Sequence, residues 1–112
     1  YDLALISSYA MQKPKFREIV GTKSIDLPAD DDSPARYLRS KNKIVTQYDG
    51  GNGIKTGFTK KAGKCLSAAA VRDDMQLVAI VLNDGDMFGD CKALLDYCRH
   101  IFFRYADDHC IN

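Results

Sequence analysis

Lysine, threonine and glycine stand in direct succession at Lys55-Thr56-Gly57, inside a short run from Ile54 to Thr59 that is β-branched at alternate positions. Such a run reads as a strand. A strand edge offers backbone hydrogen bonds to an extended peptide, a lysine brings positive charge, and a hydroxyl can hold a carboxylate. A glycine removes the side chain where a ligand must approach. Together the three could hold an extended peptide that carries a carboxylate. Taken alone, the tripeptide is more simply a β-hairpin with an exposed Lys and Thr.

Other chemistry is harder to assemble. Ser7 and Ser8 have no lysine three residues on, and neither His100 nor His109 has a serine partner for a triad. Cys65, Cys91, Cys98 and Cys110 contain no C-x-x-C. Cys91 and Cys98 lie seven apart on one helical pattern, about 10 Å along its axis, too far to bridge each other. Reduced, buried thiols are expected. His100, His109 and Cys110 have no second ligand pair at finger-like spacing, so no metal is expected. No cofactor motif is present either.

The elements that would position Lys55 follow from pattern. Asp2 to Gln12 places Leu3, Ile6, Ala10 and Met11 at helical spacing, with Asp2 as a cap, and this helix should stop before Pro14. Lys15 to Val20 can make another turn, and Gly21 to Leu27 contains a short strand. Two prolines around three acids, Pro28 to Pro34, predict an exposed loop. After a short apolar piece at Ile44-Val45, Asp49-Gly50-Gly51-Asn52-Gly53 predicts a tight turn. Gly53 to Phe58, Cys65 to Val71 and Met75 to Leu82 read as neighbouring antiparallel strands, the last two joined at Arg72-Asp73-Asp74. Cys91, Leu94, Leu95, Cys98, Ile101, Phe102 and Tyr105 fall on one face of a final helix near Asp90 to Tyr105, which should pack on that sheet. The fold class is therefore α+β, an antiparallel sheet covered by helices.

With 112 residues, 46% hydrophobic and 28% charged, the chain has the length and composition of one globular domain. No apolar run approaches the roughly 18 residues of a spanning helix, and Tyr1-Asp2-Leu3-Ala4 does not start an export signal. The formal net charge of +1 hides a basic middle: residues 36–64 hold eight Lys/Arg against Asp49 alone. Few aromatics interleave with them, so a nucleic-acid partner is not expected. A solvated face, or a pocket for a small anion, accounts for such a block.

The block Gly53-Ile-Lys-Thr-Gly-Phe-Thr-Lys-Lys-Ala-Gly-Lys-Cys-Leu66, followed by Ala68-Ala-Ala-Val-Arg72 and Leu77-Val-Ala-Ile-Val-Leu-Asn83, closely resembles the D-alanyl-D-alanine carboxypeptidases among the low-molecular-mass penicillin-binding proteins. So do Tyr1-Asp-Leu-Ala-Leu-Ile6, Pro14-Lys-Phe-Arg-Glu-Ile-Val20, Asn42 and Leu94-Leu-Asp-Tyr97. Lys-Thr-Gly is one of three signatures of the serine penicillin-recognising enzymes, beside S-x-x-K and S-x-N. The resemblance implies a partial β-lactamase/transpeptidase-like fold. It also implies an enzyme that removes the terminal D-Ala of peptidoglycan pentapeptides through a serine acyl-enzyme, is acylated by β-lactams, and needs no cofactor. Its location would be extracytoplasmic, at the cell surface or in the periplasm, and membrane-associated in the intact protein.

Within that resemblance, residues 1–112 look like the C-terminal part of the catalytic domain, with S-x-x-K and S-x-N lying upstream. Lys55 would raise the positive potential of the nucleophile's pocket, Thr56 would meet the terminal carboxylate, and Gly57 and Thr59 would complete the substrate-binding strand. The backbone N–H of Phe58 would be one of two oxyanion-hole donors. Ser40-Lys-Asn-Lys43 formally satisfies both missing motifs, but one hydroxyl cannot be nucleophile and proton relay at once. Where some family members place an arginine, this chain has the acidic loop Asp84 to Asp90, and Lys60, Lys61 and Lys64 lie nearby in sequence. The alternative to an enzyme part is a noncatalytic module that binds peptidoglycan peptides or a protein. Faces left apolar by a missing half are expected to self-associate.

Overall fold

The computed structural model describes residues 1–108, with side chains as far as Cys98. Its centre is a three-stranded antiparallel sheet in the order β3 (Gly51–Thr59), β4 (Gly63–Arg72), β5 (Met75–Val81). Alternation decides which face is buried: Leu66, Ala68 and Ala70 of β4 and Leu77 and Ala79 of β5 point one way. Helix α4 (Met87–Asp108) lays Cys91 and Leu95, one turn apart, onto that face, and both are fully buried. The row of alanines lets the helix sit close to the sheet. The molecule is thus α+β, as the periodicities predict.

Two short helices cover the opposite face. α1 (Asp2–Ala10) ends at Met11, and α2 (Pro14–Val20) starts on a proline, which suits a first helical position because its missing N–H would have had no partner there. Met11 and Val20 pack over Gly53 and Ala69. The five-residue α3 (Lys43–Gln47) buries Ile44 and Val45 and leads into β3. Gly51 has no alternative there, because a Cβ would collide with the Ile44 carbonyl oxygen. A separate ribbon pairs β1 (Ser24–Leu27) with β2 (Arg36–Arg39), Ile25 opposite Leu38.

Several expectations need correcting. Only the end of the apolar stripe of α1 is buried: Met11 is buried and Ala10 half-buried, whereas Leu3, Leu5, Ile6 and Tyr9 are exposed and Ser7 is buried instead. On α4, Leu94 is 40% exposed and Cys98 is exposed, so the buried stripe is narrower than the sequence suggests. The side chains of His100, Ile101, Phe102 and Tyr105, and all of His109 and Cys110, lie outside the described residues. The glycine-rich stretch is only half a turn: Gly50 has φ +83°, but Gly51 to Gly53 already belong to β3 and carry an irregularity in register. Ile44-Val45 is helical, and β2 was not foreseen.

Candidate functional site

Pairing with β4 fixes how the Lys-Thr-Gly strand displays its residues. Lys55 lies opposite Ser67 and Gly57 opposite Cys65, while Thr56 lies opposite Leu66 and Phe58 opposite Lys64. Residues paired across a ladder share a face, and neighbours along a strand do not. Lys55 therefore shares a face with Cys65 and Ser67, and Thr56 takes the other. The second edge of β3 is unpaired among the described residues.

On the Lys55 side the sheet and α1 enclose a largely apolar cleft of about 230 Å³. Lys55, Thr56 and Gly57 form one wall, Cys65, Leu66 and Ser67 the floor, and Leu3, Ile80 and Leu82 the rest. A Cβ on Gly57 would meet nothing within 4 Å. Packing inside the chain therefore does not demand glycine there. The Lys55 ammonium donates to the Thr56 carbonyl at 2.5 Å and is exposed, so its charge faces solvent at the mouth of the cleft. α1 is fastened beside it by a 2.8 Å hydroxyl contact between Ser7 and Ser67.

Thr59 and Phe58 sit where the strand leaves the sheet. The Thr59 hydroxyl accepts from the Ala62 N–H at 2.9 Å, closing a turn that carries Lys60 and Lys61 in solvent. The Phe58 side chain is 66% exposed. Lys55, Thr56 and Gly57 are thus brought together at the cleft, whereas Thr59 is occupied in shaping the turn after it. Ser40 accepts from the Asn42 N–H at 3.2 Å, and Asn42 accepts from Ile44 N–H at 3.0 Å to cap α3. The Ser-Lys-Asn-Lys stretch is thereby a helix start. Sequence reasoning missed Ser7, Cys65 and Ser67 as cleft residues. The signal for the last two was available, since strand alternation carries them to the Lys55 face once the β3–β4 turn is counted.

Two groups behind the sheet have displaced titrations. Burial pushes the Cys91 thiol up to about 11, helped by the charges of Asp84 and Asp90. Asp90 is raised above the ordinary carboxylate range, first by its hydrogen bond with Asp84, then by the charge of Asp84. Among the described residues no group of His, Cys, Asp and Glu side chains is arranged to hold a metal. No described helix is long and apolar enough to cross a membrane.

The chain is similar to known proteins in sequence and in fold. D-alanyl-D-alanine carboxypeptidase DacB2 of Mycobacterium tuberculosis is 30% identical over 100 residues, covering 85% of this chain and 34% of that protein. DacF of Bacillus subtilis is 30% identical over 81 residues, covering 72% of this chain and 21% of that protein. The chain thus spans between about a fifth and a third of the curated relatives it matches. A mutant of the Streptomyces K15 DD-transpeptidase superposes with a TM-score of 0.73 at 28% identity, over 86% of this chain and 40% of that one. Penicillin-binding protein D2 of Listeria monocytogenes, in its ampicillin-bound form, gives 0.65 at 28% identity, over 82% of this chain and 37% of that one. The fold is accordingly a partial transpeptidase-like one. The D-alanyl-D-alanine carboxypeptidase family model matches residues 1–86, a span that runs from α1 through the Lys55 strand to the end of the sheet and beyond, and the chain belongs to that family.

Proposed function

We propose that the chain is the Lys-Thr-Gly-bearing, C-terminal part of the catalytic domain of a serine-type D-Ala-D-Ala carboxypeptidase. The intact enzyme trims the terminal D-Ala from peptidoglycan pentapeptides through an acyl-enzyme, and β-lactams acylate it. The observation that carries this reading is the cleft: Lys55 and Gly57 face it and Thr56 lines it between them, on an edge strand whose glycine faces open space. An extended peptide can add to that edge by backbone hydrogen bonds. Lys55 supplies charge from one side, the Thr56 hydroxyl meets the carboxylate, and Thr59 holds the turn that keeps the strand end in place. The Phe58 N–H donates to the oxyanion. The enzyme works outside the cytoplasm, where its substrate is.

The nucleophile comes from a serine outside residues 1–112, so this chain by itself forms no covalent adduct. Fluorescent penicillin labelling followed by mass spectrometry tests both parts. No adduct is expected on the 112-residue chain, and a stoichiometric one on the enzyme with the upstream motifs in place. An adduct on the short chain overturns the assignment of the nucleophile. A noncatalytic module that binds the same peptides is the second reading, favoured by the exposed α1 surface, through which the chain also self-associates. Stem-peptide binding without acylation, even with S-x-x-K and S-x-N restored, would select it.

A further inference from the structure

We propose that the cavity between α3, the start of β4 and the first turn of α4 is a binding site for a phosphate group. The cavity measures about 390 Å³ and is lined by Lys43, Gln47, Lys64, Asp86, Phe88 and Lys92 among others. Three lysines from three different elements meet there. Among the described residues none of them is paired with a carboxylate, unlike Lys15 with Glu18 and Arg72 with Asp49 and Asp96. Like charges gathered at one concave surface repel one another unless an anion sits between them. Nor are all three simply splayed into water: Lys92 is half-buried, and the Lys43 ammonium is held over the Phe88 ring at 5.6 Å.

Asp86 is the acid among the lining residues, and its carboxylate is folded back on the first turn of α4. It lies so close to Gly89 that a Cβ there would strike it. Its charge offsets one of the three lysines of the lining, and Asp84 and Asp90, hydrogen-bonded to each other, lie next to the cavity but outside its lining. The donor set selects the ligand. Each ammonium is a point charge with three donors, suited to the spread oxygens of a phosphate, and the Gln47 amide adds a neutral donor. The volume admits a phosphate together with the group it esterifies. No residue lines both this cavity and the Lys55 cleft, and the inference stands whether or not the chain is part of a carboxypeptidase.

The test is a titration of the isotopically labelled chain, followed by NMR, with inorganic phosphate and separately with glycerol 3-phosphate, ionic strength being held constant with chloride. Saturable shifts are expected at the amides of Lys64, Phe88 and Gly89. Lys64→Gln and Lys92→Gln should each weaken binding by about fivefold or more, the effect of removing one of three charges from a partly exposed site. Lys64 is exposed and Lys92 half-buried, and unchanged thermal unfolding verifies that the fold is kept. Tighter binding of the ester identifies an esterified phosphate as the ligand, and tighter binding of inorganic phosphate the free ion. Shifts that chloride alone reproduces, that never saturate, or that persist in both variants overturn the proposal.

Discussion

Lys55 and Gly57 divide two tasks that a single substitution can separate. Gly57 has open space around its α-carbon, so Gly57→Ala should change stability by well under about 1 kcal/mol while filling the place a ligand backbone needs. Urea unfolding of the chain measures the first effect, and penicillin labelling of the intact enzyme the second. Lys55→Ala removes the charge at the cleft and leaves β3 intact, so acylation of the intact enzyme proposed above should slow by about a hundredfold with no loss of fold. Cys91 reports on the far side of the sheet. Its folded pKa of about 11 stands above the reference of 9.0, so the neutral thiol is favoured by folding. The stability this contributes is complete below pH 9 and is lost as pH rises to about 11; it amounts to roughly 2–3 kcal/mol. Chemical denaturation at pH 8 and pH 11 should therefore show a steeper loss for the parent than for Cys91→Ala.

Turns and caps set the elements, and one turn has an unfavourable residue at its second position. Asp73 and Asp74 join β4 to β5 with φ of 52° and 63°, the left-handed pair of a two-residue hairpin. A side chain in that region costs about 1 kcal/mol relative to glycine. Asp74→Gly should accordingly stabilise the chain by about that amount, read as a higher unfolding midpoint. At the same end of β4, Arg72 donates to the Asp49 carbonyl, pairs with Asp49 and Asp96, and lies over the Tyr48 ring, whose hydroxyl donates to Asp96. This assembly ties the entry to β3 onto α4. The hairpins were legible because β-branched and small apolar residues alternate between clear turn signals. Ile44-Val45 was not legible as helix, since both residues favour strands and only burial against β3 reverses that preference. Asn42, a good N-cap residue, was the available clue. β2 was invisible because all four of its residues are exposed, leaving no alternation to read. Lys55, Thr56 and Gly57, singled out by their motif, all line the cleft, whereas Ser7 comes beside it only through the docking of α1.

At the scale of the whole molecule, the sheet is well covered on the α4 side and thinly on the α1 side. Leu3, Leu5, Ile6 and Tyr9 of α1 and Ile19 of α2 remain 47–63% exposed. Apolar residues gathered in this way favour association. Sedimentation at rising concentration should show self-association, which Ile6→Lys should reduce; a monomer at high concentration would contradict it. The β1–β2 ribbon differs in kind. Its strands pack mainly against each other, and Ile25, Tyr37 and Leu38 are exposed, in a body 60 Å long and only 23 Å thick. A two-stranded ribbon without a covering layer is marginal in water. It should therefore open without the rest of the domain. Its amides, among them Ser40 N–H bonded to the Lys23 carbonyl, will exchange with deuterium long before those of β4. A protease added at low concentration should make its first cut between Leu27 and Arg36 and leave residues 43–98 whole.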